Sequence, residues 1–236
     1  MDELTIDPQF AGPPGWGNGG YVCGRLGQRL GGTVAVTLRR PVPLGRPLSV
    51  VSPAPDVLEL RDGDALLAEA RAGALQLDLP EPPHFAEAES ARARSPALGP
   101  ERPLANCFVC GSDRAEGDGL RLFPGPVAAA GMLAAPWVPG AAFADGAGAV
   151  RPEFVWAALD CTGAFAVLQA RKGANLLLGR LTARLDRNVE AGRRHVVAGW
   201  RIASDGRKHE AGTAVFAEDG GLCAAARATW IEPKAA

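Results

Sequence analysis

Gly17-Asn18-Gly19-Gly20-Tyr21 sets a glycine cluster directly against the start of a helix-like segment, Tyr21 to Leu30. Asn18 is a favourable helix N-cap, because its side-chain oxygen can accept from N–H groups that a helix start leaves unpaired. Glycines at such a junction let a ligand approach those N–H groups, and the place favours an anion or a developing oxyanion. The segment that follows carries neither a carboxylate nor a histidine. The missing acid lies in the second half of the chain. There Pro152-Glu153-Phe154-Val155-Trp156-Ala157-Ala158-Leu159-Asp160 puts Asp160 inside an otherwise apolar helix. One half reads as an oxyanion hole without a base, the other as a base without an oxyanion hole.

Working outward, each half reads as a helix followed by strands. After the first helix, Thr33–Arg40 alternates β-branched and polar residues, and Leu48–Ser52, Asp56–Arg61 and Ala65–Leu77 continue the pattern. After the second helix come Leu176–Arg187, Arg194–Ser204, His209–Glu218 and Leu222–Glu232, broken by Asp205-Gly206 and Asp219-Gly220-Gly221 turns. Gly119–Phe123 and Met132–Trp137 read as strands before that helix. Between the halves, Leu79 to Pro103 is rich in proline and poor in large apolar residues, which is linker chemistry with one short helix at Phe85–Arg94. The expected division is 1–80, a linker over 81–103, and 104–236. The halves also match in kind: Arg40-Pro41-Val42 against Arg187-Asn188-Val189, and Ala70-Arg71-Ala72 against Ala226-Arg227-Ala228. A repeat of this length predicts a duplicated α+β unit, each copy covering a curved antiparallel sheet with one helix.

Composition excludes several classes of function. With 47% hydrophobic and 22% charged residues, the 236-residue chain is that of an ordinary globular protein. A net charge of −1 gives no basic excess for nucleic acid and no polybasic run for a membrane surface. The Met1-Asp2-Glu3 start has no signal-peptide pattern, and no apolar run reaches the ~18 residues of a membrane helix. Five cysteines without an export signal read as reduced thiols, and a cytoplasmic location is expected.

The order of these features resembles a known family. A helix entered through a Gly-Gly pair, an acid seven residues past the second glycine position and four antiparallel strands are similar to the hot-dog fold acyl-CoA thioesterases. Within them the likeness is to the phenylacetate-pathway (PaaI-like) branch in a tandem, double hot-dog form. Asn106-Cys107-Phe108-Val109-Cys110-Gly111, continuing to Gly119-Leu120-Arg121-Leu122, resembles the opening segment frequent in that branch. The resemblance implies two units pairing inside one chain as an internal pseudo-dimer, with further assembly into a homo-oligomer optional. It implies an active site built from Asn18, Gly19, Gly20 and Tyr21 of one unit and the Asp160 carboxylate of the other. The converse site would set Pro152-Glu153 against Gly27 and, lacking both glycines and acid, would be inert. It further implies an acyl-CoA or acyl carrier protein thioester as partner, with coenzyme A entering only as part of the substrate and no cofactor or metal of its own.

Three departures stand out. Asn18 occupies the place where many relatives have a histidine. Leu178 occupies the place of an assisting strand serine or threonine, leaving Thr162 and Thr182 as nearby substitutes. An Asp-x4-His pair, which would mark a hydratase, is absent.

In thioester hydrolysis the N–H groups of Gly20 and Tyr21 would polarise the carbonyl, at about 3 kcal/mol per donor, while Asp160 acts as general base or nucleophile. Burial beside Trp156, Leu159 and Phe165 would raise its pKa. Trp16, Tyr21, Trp156 and Phe165 are candidates for an acyl pocket, and Arg184 with Arg187, Arg193 and Arg194 for coenzyme A phosphates. Aromatic residues at helical spacing are also what a plain core requires, and strand arginines what a solvated face requires. Cys107-x-x-Cys110 lacks a second pair or a downstream histidine pair, so it reads as two small buried thiols rather than a zinc site. Cys161 has no histidine near it in sequence, and His84, His195 and His209 read as surface or sheet polar positions. The rival to an enzyme is a non-catalytic acyl-CoA binding or sensing module on the same fold.

Overall fold

The structure, a computed structural model, describes residues 2–100, 104–129 and 131–234. The end of the stretch read as a linker, 101–103, lies outside the described residues. The chain runs β1 (Asp2–Thr5), α1 (Gly19–Gly27), β2 (Val34–Leu38), β3 (Pro47–Ala54), β4 (Val57–Asp62), β5 (Ala65–Ala72) and α2 (Phe85–Ala91). It continues through β6 (Gly125–Pro126), β7 (Met132–Trp137), α3 (Pro152–Ala170), β8 (Leu177–Leu185), β9 (His195–Asp205), β10 (Lys208–Ala217) and β11 (Leu222–Ile231). No helix of the described residues is long and apolar enough to cross a membrane.

All eleven strands join one sheet in the order β1-β3-β4-β5-β2-β8-β11-β10-β9-β7-β6. The order is a mirror image about the β2–β8 seam: β1-β3-β4-β5-β2 on one side answers β7-β9-β10-β11-β8 on the other. The seam is antiparallel and short, pairing Val34 with Ala183, Ala35 with Thr182, Val36 with Leu181 and Thr37 with Arg180. Its inner face is apolar, with Val36 and Leu181 fully buried. Its outer face is polar, with Arg180 Nε donating to Thr37 Oγ1 at 2.9 Å. Successive strand residues point to opposite faces, so this alternation commits one face of the seam to the helices.

The two central helices differ from each other. α3 spans nineteen residues, most of them buried. α1 spans only nine, Gly19–Gly27, rather than the expected Tyr21–Leu30. Beyond Gly27 the chain tightens into turns (Arg29 N–H to Leu26 O, Leu30 N–H to Gly27 O) and leaves through Gly31 and Gly32 at φ of 69° and 66°, a region closed to most side chains. The expected pair of sheets, each around one long helix, is therefore a single continuous sheet carrying one long and one short helix.

The helices lie against each other through the glycines of α1. A Cβ on Gly20 would sit 2.5 Å from Asp160 Cβ and 2.8 Å from Trp156 O. One on Gly24 would sit 2.7 Å from both Glu153 Cα and Trp156 Cβ. Such an approach admits no side chain, which accounts for the spacing of these glycines more directly than ligand access does. At the end of the contact, Phe10, Tyr21, Phe108, Phe143 and Phe154 form a cluster, Phe10 stacking on Tyr21 at 4.1 Å and Phe143 meeting Phe154 edge-on at 5.0 Å.

Strand expectations in the second half agree with the observed elements to within two residues at each end, with one correction. Gly119–Phe123 is not a strand. Leu120 and Leu122 N–H groups bond back to the carbonyls of Phe108 and Val109, and Arg121 adopts φ of 51°, which breaks an extended run. The expected Ala65–Leu77 strand ends at Ala72. α2 forms within Phe85–Arg94 as expected, and packs on β7 and β9, where Arg194 lies 5.1 Å over the Phe85 ring.

Candidate functional site

Asp160 of α3 and the start of α1 meet. Asp160 Oδ2 accepts from the Gly20 N–H at 2.8 Å and from Asn18 Nδ2 at 3.0 Å. Asn18 caps α1 in the expected manner, its Oδ1 accepting from the Tyr21 N–H at 2.9 Å. One Asn18 side chain thus ties the first turn of α1 to the acid of α3, and both residues are only 2% exposed. Behind the acid, Thr213 Oγ1 of β10 donates to Leu159 O at 2.8 Å and fixes α3 on the sheet.

This geometry alters the expected division of labour. The N–H groups of Gly20 and Tyr21, anticipated as the oxyanion donors, are bonded within the protein, one to Asp160 and one to Asn18. The reason is the closeness of the helices: with no side chain on Gly20, the carboxylate itself reaches the helix start. The Gly19 N–H has no partner among the described residues, and Gly19 is half-buried. Gly19 faces Leu178 of β8, whose Cδ2 would be 2.9 Å from a Cβ there, so the strand position opposite the helix start bears no hydroxyl.

Asp160 Oδ1 is buried with no hydrogen-bond partner among the described residues. The carboxyl pKa is pushed up to about 7, first by burial and opposed by the Gly20 amide, with the neighbouring Cys107 adding to the rise and Asn18 opposing it. One oxygen is anchored and the other is an acceptor with nothing to accept from. A buried unsatisfied acceptor costs about 1–3 kcal/mol, which a water or substrate proton would relieve.

The remaining candidates are spread out. Trp156 is buried between the helices against Gly24 and Gly27. Thr162 is fully buried and its Cγ2 faces Gly199 of β9, so it points at the sheet rather than at the helix start. Trp16 is 41% exposed and forms a single β-bridge with Pro43. Arg184 lies on the outside of β8 in an ion pair with Asp186 at 2.7 Å. Among the described residues, Thr162, Trp16 and Arg184 make no hydrogen bond or ion pair with Asp160, whose partners are Gly20 and Asn18. At the converse position Gly27 faces the Trp156 indole, which stands where an acid would project. Around Glu153 there is an open cleft of about 580 Å³, lined by Tyr21, Arg25, Gln28 and Arg151 among others.

Three cysteines read separately in the sequence converge in the structure. The Sγ atoms of Cys107, Cys110 and Cys161 lie within 4.8 Å of one another, and all three residues are buried. Cys107 Sγ is 3.8 Å from Cys161 Sγ and 3.8 Å from Asn18 Nδ2, so the thiols adjoin the Asp160 site. The sequence held two separate signals, the Cys107-x-x-Cys110 spacing and the adjacency of Asp160 and Cys161. The pairing with Cys107-x-x-Cys110 exists only in three dimensions.

No family model and no curated protein matches this sequence. Solved structures do. A tesB protein of Mycobacterium avium subspecies paratuberculosis aligns over 98% of this chain and 92% of its own, with a TM-score of 0.65 at 14% identity. A protein named as a thioesterase from Novosphingobium aromaticivorans aligns over 98% and 94%, at 0.62 and 13%. Another, named as a thioesterase II from Thermobifida fusca, aligns over 98% and 92%, at 0.59 and 13%. Likeness of this extent at such low identity is likeness of fold alone, and the fold shared with these structures is the hot-dog fold.

Proposed function

We propose that this chain is a tandem pair of hot-dog units that hydrolyses an acyl thioester, of coenzyme A or an acyl carrier protein, at Asp160. The carrying observation is the Asp160 carboxylate, anchored by Oδ2 to the start of the opposite helix with Oδ1 left unpartnered. In this reading Oδ1 takes a proton from water, whose oxygen bonds to the thioester carbon. The carbonyl oxygen, negative in the intermediate, accepts from the Gly19 N–H, the one N–H of the helix start not otherwise engaged. The C–S bond then breaks, and the proton held by Asp160 passes to the leaving thiolate. The names of the structural neighbours support the reaction class at the level of fold only.

A second reading has its own support. The enclosure of Asp160 and the internal bonding of the Gly20 and Tyr21 N–H groups suit a clamp between helices in a non-catalytic acyl-binding module. Release of free thiol from a panel of acyl-CoAs, followed with a thiol reagent on wild type and Asp160→Asn, separates the two. The enzyme reading expects release by wild type and its loss in the variant. Tight acyl-CoA binding with no release across the panel, or equal release by both proteins, refutes it.

A further inference from the structure

We infer that Cys107, Cys110 and Cys161 form a binding site for a thiolate-seeking divalent metal ion, zinc(II) in the first instance, with three protein ligands and a fourth position left to water. The inference goes beyond the thioesterase reading and does not depend on it.

Four observations carry it. The first is distance. A tetrahedral zinc with Zn–S bonds of about 2.3 Å needs sulfurs about 3.8 Å apart. Cys107 and Cys161 Sγ stand 3.8 Å apart, and all three sulfurs lie within 4.8 Å of one another. The second is the loop. Cys107 and Cys110 hold the C-x2-C spacing found in structural zinc sites. The loop is closed by the Gly111 N–H on Cys107 O at 2.8 Å. A Cβ on Gly111 would fall 2.7 Å from Ala105 O, so this tight turn requires glycine.

The third is the surroundings of the sulfurs. Asn18 Nδ2 lies 3.8 Å from the Cys107 sulfur as a donor to it. Donors around a sulfur are what a metal thiolate needs from its surroundings. The fourth is origin. The ligands come from two distant segments, the loop and the centre of α3, so a metal there would join the N-terminal part of the second half to its long helix. Thiols packed for hydrophobicity alone need no such convergence: Cys23 and Cys223 are also buried free thiols and lie outside the cluster.

Binding would replace three S–H protons by one metal ion, so uptake is accompanied by proton release. The test uses the full chain without an affinity tag, fully reduced and stripped with a chelator. It is then titrated with zinc(II), read by metal analysis after desalting, and separately with cobalt(II), read by absorbance. The expected result is one zinc per chain, with the thiolate-to-cobalt charge-transfer band and the visible bands of tetrahedral cobalt. Cys161→Ser should lose the bound zinc, whereas Cys23→Ser should retain it. If Cys161→Ser does not fold, the cobalt spectrum of wild type decides alone. A reduced wild-type chain whose cobalt form lacks the thiolate band, or Cys23→Ser and Cys161→Ser variants that hold equal zinc, overturns the inference. Neither result bears on whether Asp160 supports thiol release.

Discussion

Replacing Gly20 by alanine, with Gly24→Ala as its matched partner, separates the packing of the two helices from the anchoring of Asp160. Both substitutions push a methyl group into α3. At Gly24 it meets Glu153 Cα and Trp156 Cβ at 2.7 Å; at Gly20 it meets Asp160 Cβ at 2.5 Å and Trp156 O at 2.8 Å. Overpacking of this kind costs about 1–3 kcal/mol, and alanine returns up to about 1 kcal/mol of helix propensity. The net cost for Gly24→Ala is then about 0–2 kcal/mol. Gly20→Ala also forces the helices apart where the Gly20 N–H bonds Asp160 Oδ2 at 2.8 Å, a hydrogen bond to a carboxylate worth about 1.5–3 kcal/mol. Gly20→Ala should therefore be less stable than Gly24→Ala by about 2 kcal/mol, a factor of roughly 30 in the folding equilibrium. For a chain of this size that is a melting point about 4–8 °C lower. Urea unfolding and thermal scans of the two variants beside wild type measure it. A Gly20→Ala protein as stable as Gly24→Ala would refute the reasoning, because the Asp160 anchor would then contribute nothing.

Other consequences follow from the same geometry. Phe108→Ala empties the centre of the aromatic cluster and should cost about 3–5 kcal/mol, seen as a melting point at least about 6 °C lower; a loss under about 1 kcal/mol would show the cluster to be loosely packed. Arg184→Ala should shift stability by less than about 1 kcal/mol, since its ion pair with Asp186 is exposed, and should leave thiol release at the wild-type rate. Burial holds His195 below its ordinary pKa, aided by Arg187 and opposed by the Arg193 carbonyl, Glu190 and Asp219. The folded state then favours the neutral ring, so its share of stability is present above the unfolded value of about 6.5 and is lost as the pH falls through the window below it. His195→Gln should flatten the decline in urea midpoint between neutral and acid pH, and identical declines in both proteins would contradict this.

How far the sequence led can be judged from particular residues. Asn18 and Asp160 were legible because a cap residue at a glycine junction and an acid in an apolar helix are local oddities, and the repeat placed them in opposite halves. The hydrogen-bond partners of Gly20 and Tyr21 were not legible. They depend on how closely two helices approach, which three glycines permit but do not announce. Arg121 misled for a related reason. Its neighbours alternate like a strand, but the carbonyls of Phe108 and Val109 offered the segment other partners. Cys161 was invisible as a ligand candidate because its partners lie over fifty positions away in sequence. Trp16 and Arg184 had the right chemistry, but Arg184 fitted equally the solvated strand face on which it lies, and nothing local to Trp16 reveals its exposure.

The contact between the helices is also lopsided. Its closest approaches set Gly20 and Gly24 of α1 against Glu153, Trp156 and Asp160 of α3. Two copies of the first half facing each other would leave an unfilled seam, and two copies of the second would collide backbone to side chain. Cut between Gly73 and His84, the two pieces should associate with each other in preference to their own kind.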